Sequence, residues 1–125
     1  MIYGIGTDIV EVSRIEQSLA RFGNAFAQRI LSEEEYLEFE LSQVKARFLA
    51  KRFAAKEAFG KALGTGLRAP VAMQSICVGH SDLGKPVLML APELQAWVEE
   101  RGIRFMHISI SDEKALAVAF VVLEN

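Results

Sequence analysis

The sequence is poor in cysteine and proline and has no long apolar run. Its 125 residues include one cysteine, Cys77, and three prolines. A single cysteine excludes an internal disulfide and leaves no cysteine pattern for a metal site, which favours a reducing compartment such as the cytoplasm. No segment reaches the roughly 18 apolar residues of a membrane span. The N-terminus lacks the basic region and hydrophobic run of a secretion signal. We therefore predict neither membrane association nor secretion.

The sequence also lacks a surplus of either charge. Lysine and arginine number 14 and aspartate and glutamate 16, giving a net charge of −2. Because nucleic-acid binding usually shows as a basic surplus, no nucleic-acid partner is predicted. Hydrophobic residues make up 51% of the chain, enough for a core. With no internal repeat or linker, residues 1–125 are predicted to form a single domain.

Apolar periodicity predicts an α+β fold, a mostly antiparallel sheet with helices packed on one face. Residues 115–123 are almost wholly apolar, which is typical of a central strand covered on both faces. Two Ser-x-x-Glu capping boxes, at Ser13 and Ser32, predict helix starts. Strands are predicted at 2–10, 74–80, 86–90, 104–111 and 115–123, and helices at 13–22, after 24, after 32, at 44–63 and at 92–101.

Asp8 is the first residue that points to chemistry. In a strand it shares one face with Gly4 and Gly6, and strand glycines often mark a close approach to the backbone. A carboxylate in an otherwise apolar strand needs a partner. A surface position or a salt bridge to an arginine is the alternative explanation.

Glu57 lies on the long helix among mostly small residues, so a ligand or another element can approach it closely. Lys61 follows at i+4, the favourable order for an ion pair along a helix. The alternative is that Glu57 and Lys61 form only such a surface pair.

Two further features are weaker signals. His107 and Ser109 share one face of a predicted strand, which fits either a ligand-binding face or an ordinary structural histidine. The loop Gly64-Thr65-Gly66 offers backbone amides to a phosphate but equally serves as a helix C-cap. Metal-assisted phosphate chemistry is indicated by the combination of two carboxylates, a lysine, a histidine and a glycine loop. Mg²⁺ is the expected cation, because it prefers carboxylate oxygens and the oxygens of substrate phosphates.

Several motifs make the chain resemble the holo-acyl-carrier-protein synthase family, the small bacterial phosphopantetheinyl transferases. They occur in family order from end to end of the sequence, and the length also agrees. The matching segments are residues 4–10, 47–58, Lys61, 64–66, Gly84-Lys85-Pro86 and 107–111.

The resemblance implies an enzyme that transfers 4′-phosphopantetheine from coenzyme A to a serine of apo-acyl carrier protein in fatty acid biosynthesis. It implies a homotrimer with active sites at subunit interfaces, Mg²⁺ bound by Asp8 and Glu57, and Lys61 on phosphate. The proton acceptor is left open between Glu57 and a water linked to the metal. Residues implied to hold the nucleotide part are Arg47, Arg52, Gly64, Thr65, Gly66, Pro86, His107 and Ser109.

Carrier proteins of this family are acidic, so the basic side chains of the first helix are a predicted docking surface. Arg14 and Arg21 lie on its exposed face and Arg29 follows. An ordinary solvated helix face is the alternative. One departure from the family is Asp112, where some members have a second histidine. Three other functions fit the sequence: a coenzyme A-binding module without transfer, a transferase for a specialised carrier, and a structural trimer.

Overall fold

The computed structural model describes all residues from 1 to 125 and has the predicted α+β architecture. Most elements begin and end within two residues of their predicted bounds, and a 3₁₀ turn at Met73–Ser75 replaces the start of the second predicted strand. The elements are β1 Ile2–Glu11, α1 Val12–Phe22, α2 Asn24–Ile30, α3 Glu33–Leu41, α4 Lys45–Leu63, β2 Ile76–His80, β3 Pro86–Leu90, α5 Pro92–Glu100, β4 Phe105–Asp112 and β5 Leu116–Glu124. None of these helices is long and apolar enough to cross a membrane.

The strands form two antiparallel sheets. The larger has the order β1-β5-β4, and β2 and β3 form a separate hairpin. The apolar strand β5 is central in the larger sheet, as its composition predicted. Its alternate residues Ala117, Ala119, Val121 and Leu123 are fully buried in the core.

Helix α4 crosses the larger sheet at very short distance, and two glycines of β1 make this possible. A Cβ placed on Gly4 would lie 2.0 Å from the carbonyl oxygen of Ala62, and one on Gly6 would lie 2.0 Å from that of Ala58. The predicted close approach to this strand is therefore made by a helix. It brings the α4 side chains next to Asp8, the following residue on that face of β1.

The opposite face of the larger sheet carries large apolar side chains that remain exposed in the single chain. The helices pack on one face only, as predicted, and this outer face is uncovered. Its exposed members are Tyr3, Ile5, Ile9, Phe105 and Phe120.

Of the two predicted capping boxes, only the one at Ser32 forms. Ser32 Oγ accepts from Glu35 N at 3.3 Å, and Glu35 Oε1 accepts from Ser32 N at 3.0 Å. The box at Ser13 was wrong, since α1 begins at Val12 without a side-chain cap. Strand β1 runs directly into α1, and the Val12 amide donates to the Ala115 carbonyl at 2.9 Å. A tertiary hydrogen bond therefore satisfies the first free amide of this helix.

A buried charged network ties α4 to the surrounding elements. Lys56 is fully buried, and its ammonium donates to Glu35 Oε1 at 2.6 Å, to Ile30 O at 2.6 Å and to Met73 O at 2.8 Å. Glu35 Oε2 accepts from the Val78 amide at 2.9 Å. One lysine and one glutamate thereby join α2, α3, α4 and β2, which fixes the position of α4 against the helices on its other side.

Candidate active site

Asp8 and Lys61 meet where α4 crosses β1. Lys61 Nζ lies 3.0 Å from Asp8 Oδ1 and donates to the Thr7 carbonyl at 3.0 Å. The Asp8 side chain is only 16% exposed, whereas that of Lys61 is 54% exposed. Glu57 and Lys61 do not form the ion pair along the helix that was the alternative prediction. The Lys61 ammonium turns to the strand instead.

Glu57 lies beside the same aspartate. Partial burial raises the pKa of Glu57, and repulsion from the Asp8 carboxylate raises it further, while Lys61 acts in the opposite direction. Two neighbouring carboxylates that repel each other gain from any cation placed between them. Asp8 is 49 residues before Glu57 and 53 before Lys61 in the sequence, yet the three side chains form one cluster.

Asp8 and Glu57 both open into the largest cavity of the chain, with a volume of about 690 Å³. Its floor is apolar, with Ile15 and Phe26 from α1 and α2 and Phe53 from α4. Arg14 also lines it, so this arginine lies beside the carboxylates and not only on the outer surface of α1. Apart from the apolar spacing of α1 and α4, no sequence pattern predicts this cavity, because its walls come from segments far apart in the chain.

A second group of predicted residues lies at the other end of α4. Arg52 is five residues before Glu57, which places it roughly 140° around the helix. It is buried, with Nη2 2.9 Å from Glu38 Oε2 and Nε 3.3 Å from Glu35 Oε2. It shares a small cavity of about 120 Å³ with Pro86.

Arg47 lies at the start of α4 and pairs with Asp112, the residue at which this chain departs from the family pattern. Its Nη2 donates to Asp112 Oδ2 at 2.9 Å and its Nε to the same oxygen at 3.2 Å. Asp112 also lines the small cavity of Arg52 and Pro86. The carboxylate that replaces the second histidine thus orients Arg47 toward the end of β4.

His107 and Ser109 lie on the outer face of the larger sheet, as their alternation with buried Ile108 requires. His107 Nε2 is 2.6 Å from Glu124 Oε1 of the neighbouring strand. Asp8 and Glu57 lie on the helix-covered side. Within one chain the sheet therefore separates His107 and Ser109 from the carboxylates.

The Gly64-Thr65-Gly66 loop directly follows α4 and continues from Lys61. Gly64 has a left-handed backbone and caps the helix, with its amide on the Lys61 carbonyl at 3.0 Å. Gly66 folds back so that its amide donates to the Gly60 carbonyl at 3.0 Å. The predicted C-cap is confirmed, and it holds the loop near the Lys61 end of the helix.

Known proteins match this chain in sequence and in fold over its whole length. A family model described as the 4′-phosphopantetheinyl transferase superfamily matches residues 4–120. A holo-[acyl-carrier-protein] synthase of Nitrosospira multiformis is 56% identical over 125 residues, covering all of both chains. The crystal structure of holo-[acyl-carrier-protein] synthase from Neisseria meningitidis superimposes with a TM-score of 0.97 at 53% identity, again over all of both chains. A Bacillus anthracis holo-(acyl-carrier-protein) synthase solved in complex with CoA (3′,5′-ADP) gives 0.81 at 42% identity, over 98% of this chain and 96% of the other.

The fold and the family match define an enzyme class: the chain belongs to the 4′-phosphopantetheinyl transferase superfamily. Within that superfamily, its full-length relatives at 53–56% identity are holo-[acyl-carrier-protein] synthases. The resemblance found from the sequence motifs is confirmed.

Proposed function

We propose that this chain is a transferase, one domain spanning residues 1–125, that moves 4′-phosphopantetheine from coenzyme A to a serine of apo-acyl carrier protein. Adenosine 3′,5′-bisphosphate is the second product, and the reaction depends on Mg²⁺ and serves fatty acid biosynthesis in the cytoplasm. The observation that carries the proposal is the meeting of Asp8, Glu57 and Lys61 in one cluster, whose two carboxylates line one cavity. Solved relatives from Bacillus anthracis and Helicobacter pylori contain coenzyme A or its nucleotide, which supports the same substrate here.

The residues present fit a magnesium ion. Asp8 and Glu57 offer hard carboxylate oxygens, and their mutual repulsion favours a cation between them. The Lys61 ammonium already lies on Asp8 as a positive charge at this place. Asp8 and Glu57 are therefore the proposed ligands, and Mg²⁺ bound there supplies a Lewis acid for the pyrophosphate of coenzyme A.

The reaction needs positioning and charge stabilisation more than covalent chemistry by the protein. The carrier serine gives its proton to Glu57 or to a water at the metal site, and its oxygen forms a bond to the β-phosphorus of coenzyme A while the bond from that phosphorus to the departing nucleotide oxygen breaks. Lys61 offsets the negative charge on the departing oxygen. The adjacent cavity, with its apolar floor and Arg14, gives the carrier serine and its flanking residues access to the carboxylates.

A homotrimer accounts for residues that one chain keeps apart. The uncovered sheet face, with Ile5, Ile9 and Phe120, is an apolar surface of the kind that subunits bury. His107 and Ser109 lie on that same face. In an assembly, this face of one subunit can contribute nucleotide contacts beside the Asp8–Glu57 cluster of its partner, and Arg47, Arg52 and Pro86 can join the site in the same way. The Gly64–Gly66 loop supplies contacts next to Lys61.

The carrier protein is proposed to dock on α1 through Arg14 and Arg21, with Arg29 just beyond. Reversing charge with the double variant Arg14→Glu, Arg21→Glu should raise KM for the carrier and leave the affinity for coenzyme A nearly unchanged, because complementary charge steers association. Arg101→Glu, at the C-cap just after α5, is the control for a charge reversal elsewhere. Carrier kinetics equal to those of the control would refute the docking surface.

The proposed function itself is tested by incubating the protein with coenzyme A, Mg²⁺ and apo-acyl carrier protein and measuring the intact mass of the carrier. A gain of one phosphopantetheine that disappears with EDTA is the expected result. Coenzyme A binding without a mass gain would instead identify a binding module. A gain on a specialised synthase carrier but not on the fatty-acid carrier would replace the assignment to fatty acid biosynthesis.

A further inference from the structure

Lys61 occupies a position in this cluster that its proposed role on phosphate does not explain. Its ammonium makes two 3.0 Å contacts, with Asp8 Oδ1 and with the Thr7 carbonyl, and both partners belong to β1. The ammonium is thus held by a proposed metal ligand. Two of its three N–H donors are engaged there, which leaves only one for a phosphate.

The choice of partner is specific. Glu57 is one helical turn away from Lys61 in the usual geometry of an ion pair, yet the lysine binds Asp8 on the strand. Glu57 keeps no ion-pair partner, and the repulsion between it and Asp8 persists. The cluster therefore carries two carboxylates and one ammonium, a combination that a divalent cation can reorganise by taking Asp8 from the lysine.

We propose that Lys61 is the counter-ion of Asp8 in the metal-free enzyme and exchanges with the divalent cation. When the cation binds Asp8, the ammonium leaves the Asp8 Oδ1 and Thr7 contacts and becomes available to the substrate phosphate. This inference rests on the proposed function, and it adds a coupling to it: filling the metal site frees all three N–H donors of Lys61 for the substrate. Metal and coenzyme A binding are then coupled through one side chain, and the coupling acts in both directions.

The exchange makes Lys61 a competitor of the metal in the absence of substrate. Removing the Lys61 ammonium should therefore tighten metal binding. Exposed ion pairs are weak, and the Lys61 side chain is more than half exposed, so we expect Lys61→Met to lower the Kd for metal about threefold. The exposed position also leaves the fold intact, which circular dichroism checks.

The test is a titration of the coenzyme A-free protein with Mn²⁺, followed by electron paramagnetic resonance of the unbound ion, and a parallel Mg²⁺ titration by calorimetry. Arg14→Met is the matched control. It removes a positive charge from the cavity that Asp8 and Glu57 line, and Arg14 has no hydrogen bond to Asp8. Glu57→Gln tests the site itself. Lys61→Met should bind metal about threefold more tightly than wild type, and Arg14→Met should change the Kd clearly less.

The outcomes separate the inference from the proposed function. If Glu57→Gln abolishes metal binding while Lys61→Met and Arg14→Met tighten it equally, the metal site stands and the exchange is refuted, because the effect is then only that of net charge. Weaker metal binding by Lys61→Met refutes the exchange as well. If wild type and Glu57→Gln bind metal equally or not at all, the metal site itself is wrong, and the proposed metal dependence and the exchange are both refuted.

Discussion

The contact between β1 and α4 determines whether the active-site cluster can form, and Gly6 is the residue on which it depends. In Gly6→Ala the new Cβ would lie 2.0 Å from the Ala58 carbonyl oxygen and 2.7 Å from the Ala62 amide nitrogen, whereas ordinary contacts begin at 3.4 Å. Restoring that contact requires α4 and β1 to separate by about 1.4 Å, the difference between 3.4 and 2.0 Å. Neither atom belongs to a flexible side chain, so the backbone must move.

We expect this substitution to lower the free energy of unfolding by about 3 kcal/mol, the upper part of the range for overpacked sites. Helix α4 carries Glu57 and Lys61 while β1 carries Asp8, so the same displacement opens the cluster. Because a misplacement of about 1 Å can cost about 100-fold in rate, the transfer rate should fall by about that factor.

The assay is urea unfolding followed by circular dichroism at one fixed protein concentration. Gly79→Ala is the matched control, a strand glycine whose added Cβ would meet the terminal methyl of Met89 at 2.6 Å. That methyl ends a flexible side chain that can turn away, so the control should change stability by less than about 1 kcal/mol. If the two variants unfold within about 0.5 kcal/mol of each other, the close packing of β1 on α4 does not position the site as described.

Two further predictions concern the interior of the protein. Lys56→Met leaves the buried Glu35 carboxylate without its ammonium partner and should lower the free energy of unfolding by about 3–5 kcal/mol. Lys114→Met, at an exposed turn, is the control. Equal urea midpoints for the two variants would show that the buried network contributes nothing to stability. Burial raises the pKa of the Cys77 thiol, so at pH 8 a smaller fraction is thiolate than in free cysteine. Alkylation by iodoacetamide should therefore be slower in the native protein than in urea, and equal rates would contradict the raised pKa.

Much of the fold follows from local patterns in the sequence. Apolar alternation located the strands, and the wholly apolar run 115–123 correctly predicted the central strand β5. The Ser32 capping box formed because both of its partners are close in sequence. The box at Ser13 failed because the helix begins one residue earlier, at Val12, whose amide donates to the distant Ala115 carbonyl, so Ser13 lies inside the helix. Patterns within a few residues are reliable where no tertiary contact competes with them.

The geometry of the candidate active site was likewise predictable from local patterns only where no tertiary contact intervened. The glycines of β1 correctly predicted a close approach at Asp8, but not that α4 is the element that makes it. Spacing favoured a Glu57–Lys61 pair, and the structure pairs Lys61 with Asp8, because the crossing of strand and helix brings a second carboxylate within reach. The buried pair of Lys56 and Glu35 had no sequence signal, since 21 residues separate its members. Residues assigned by family resemblance lie on both faces of the sheet, and only the proposed trimer would bring them together.

If Asp8, Glu57 and Lys61 form the site of phosphopantetheine transfer, the Asp8→Ala variant must lose most of the activity. The measurement is the initial rate at which apo-acyl carrier protein gains one phosphopantetheine, by intact mass, with coenzyme A and Mg²⁺ in excess. Glu100→Ala, which removes an exposed carboxylate from α5, is the control. We predict a loss of about 100-fold or more in Asp8→Ala, with unchanged circular dichroism, and a wild-type rate in the control. A folded Asp8→Ala protein that modifies the carrier at the wild-type rate would contradict the account.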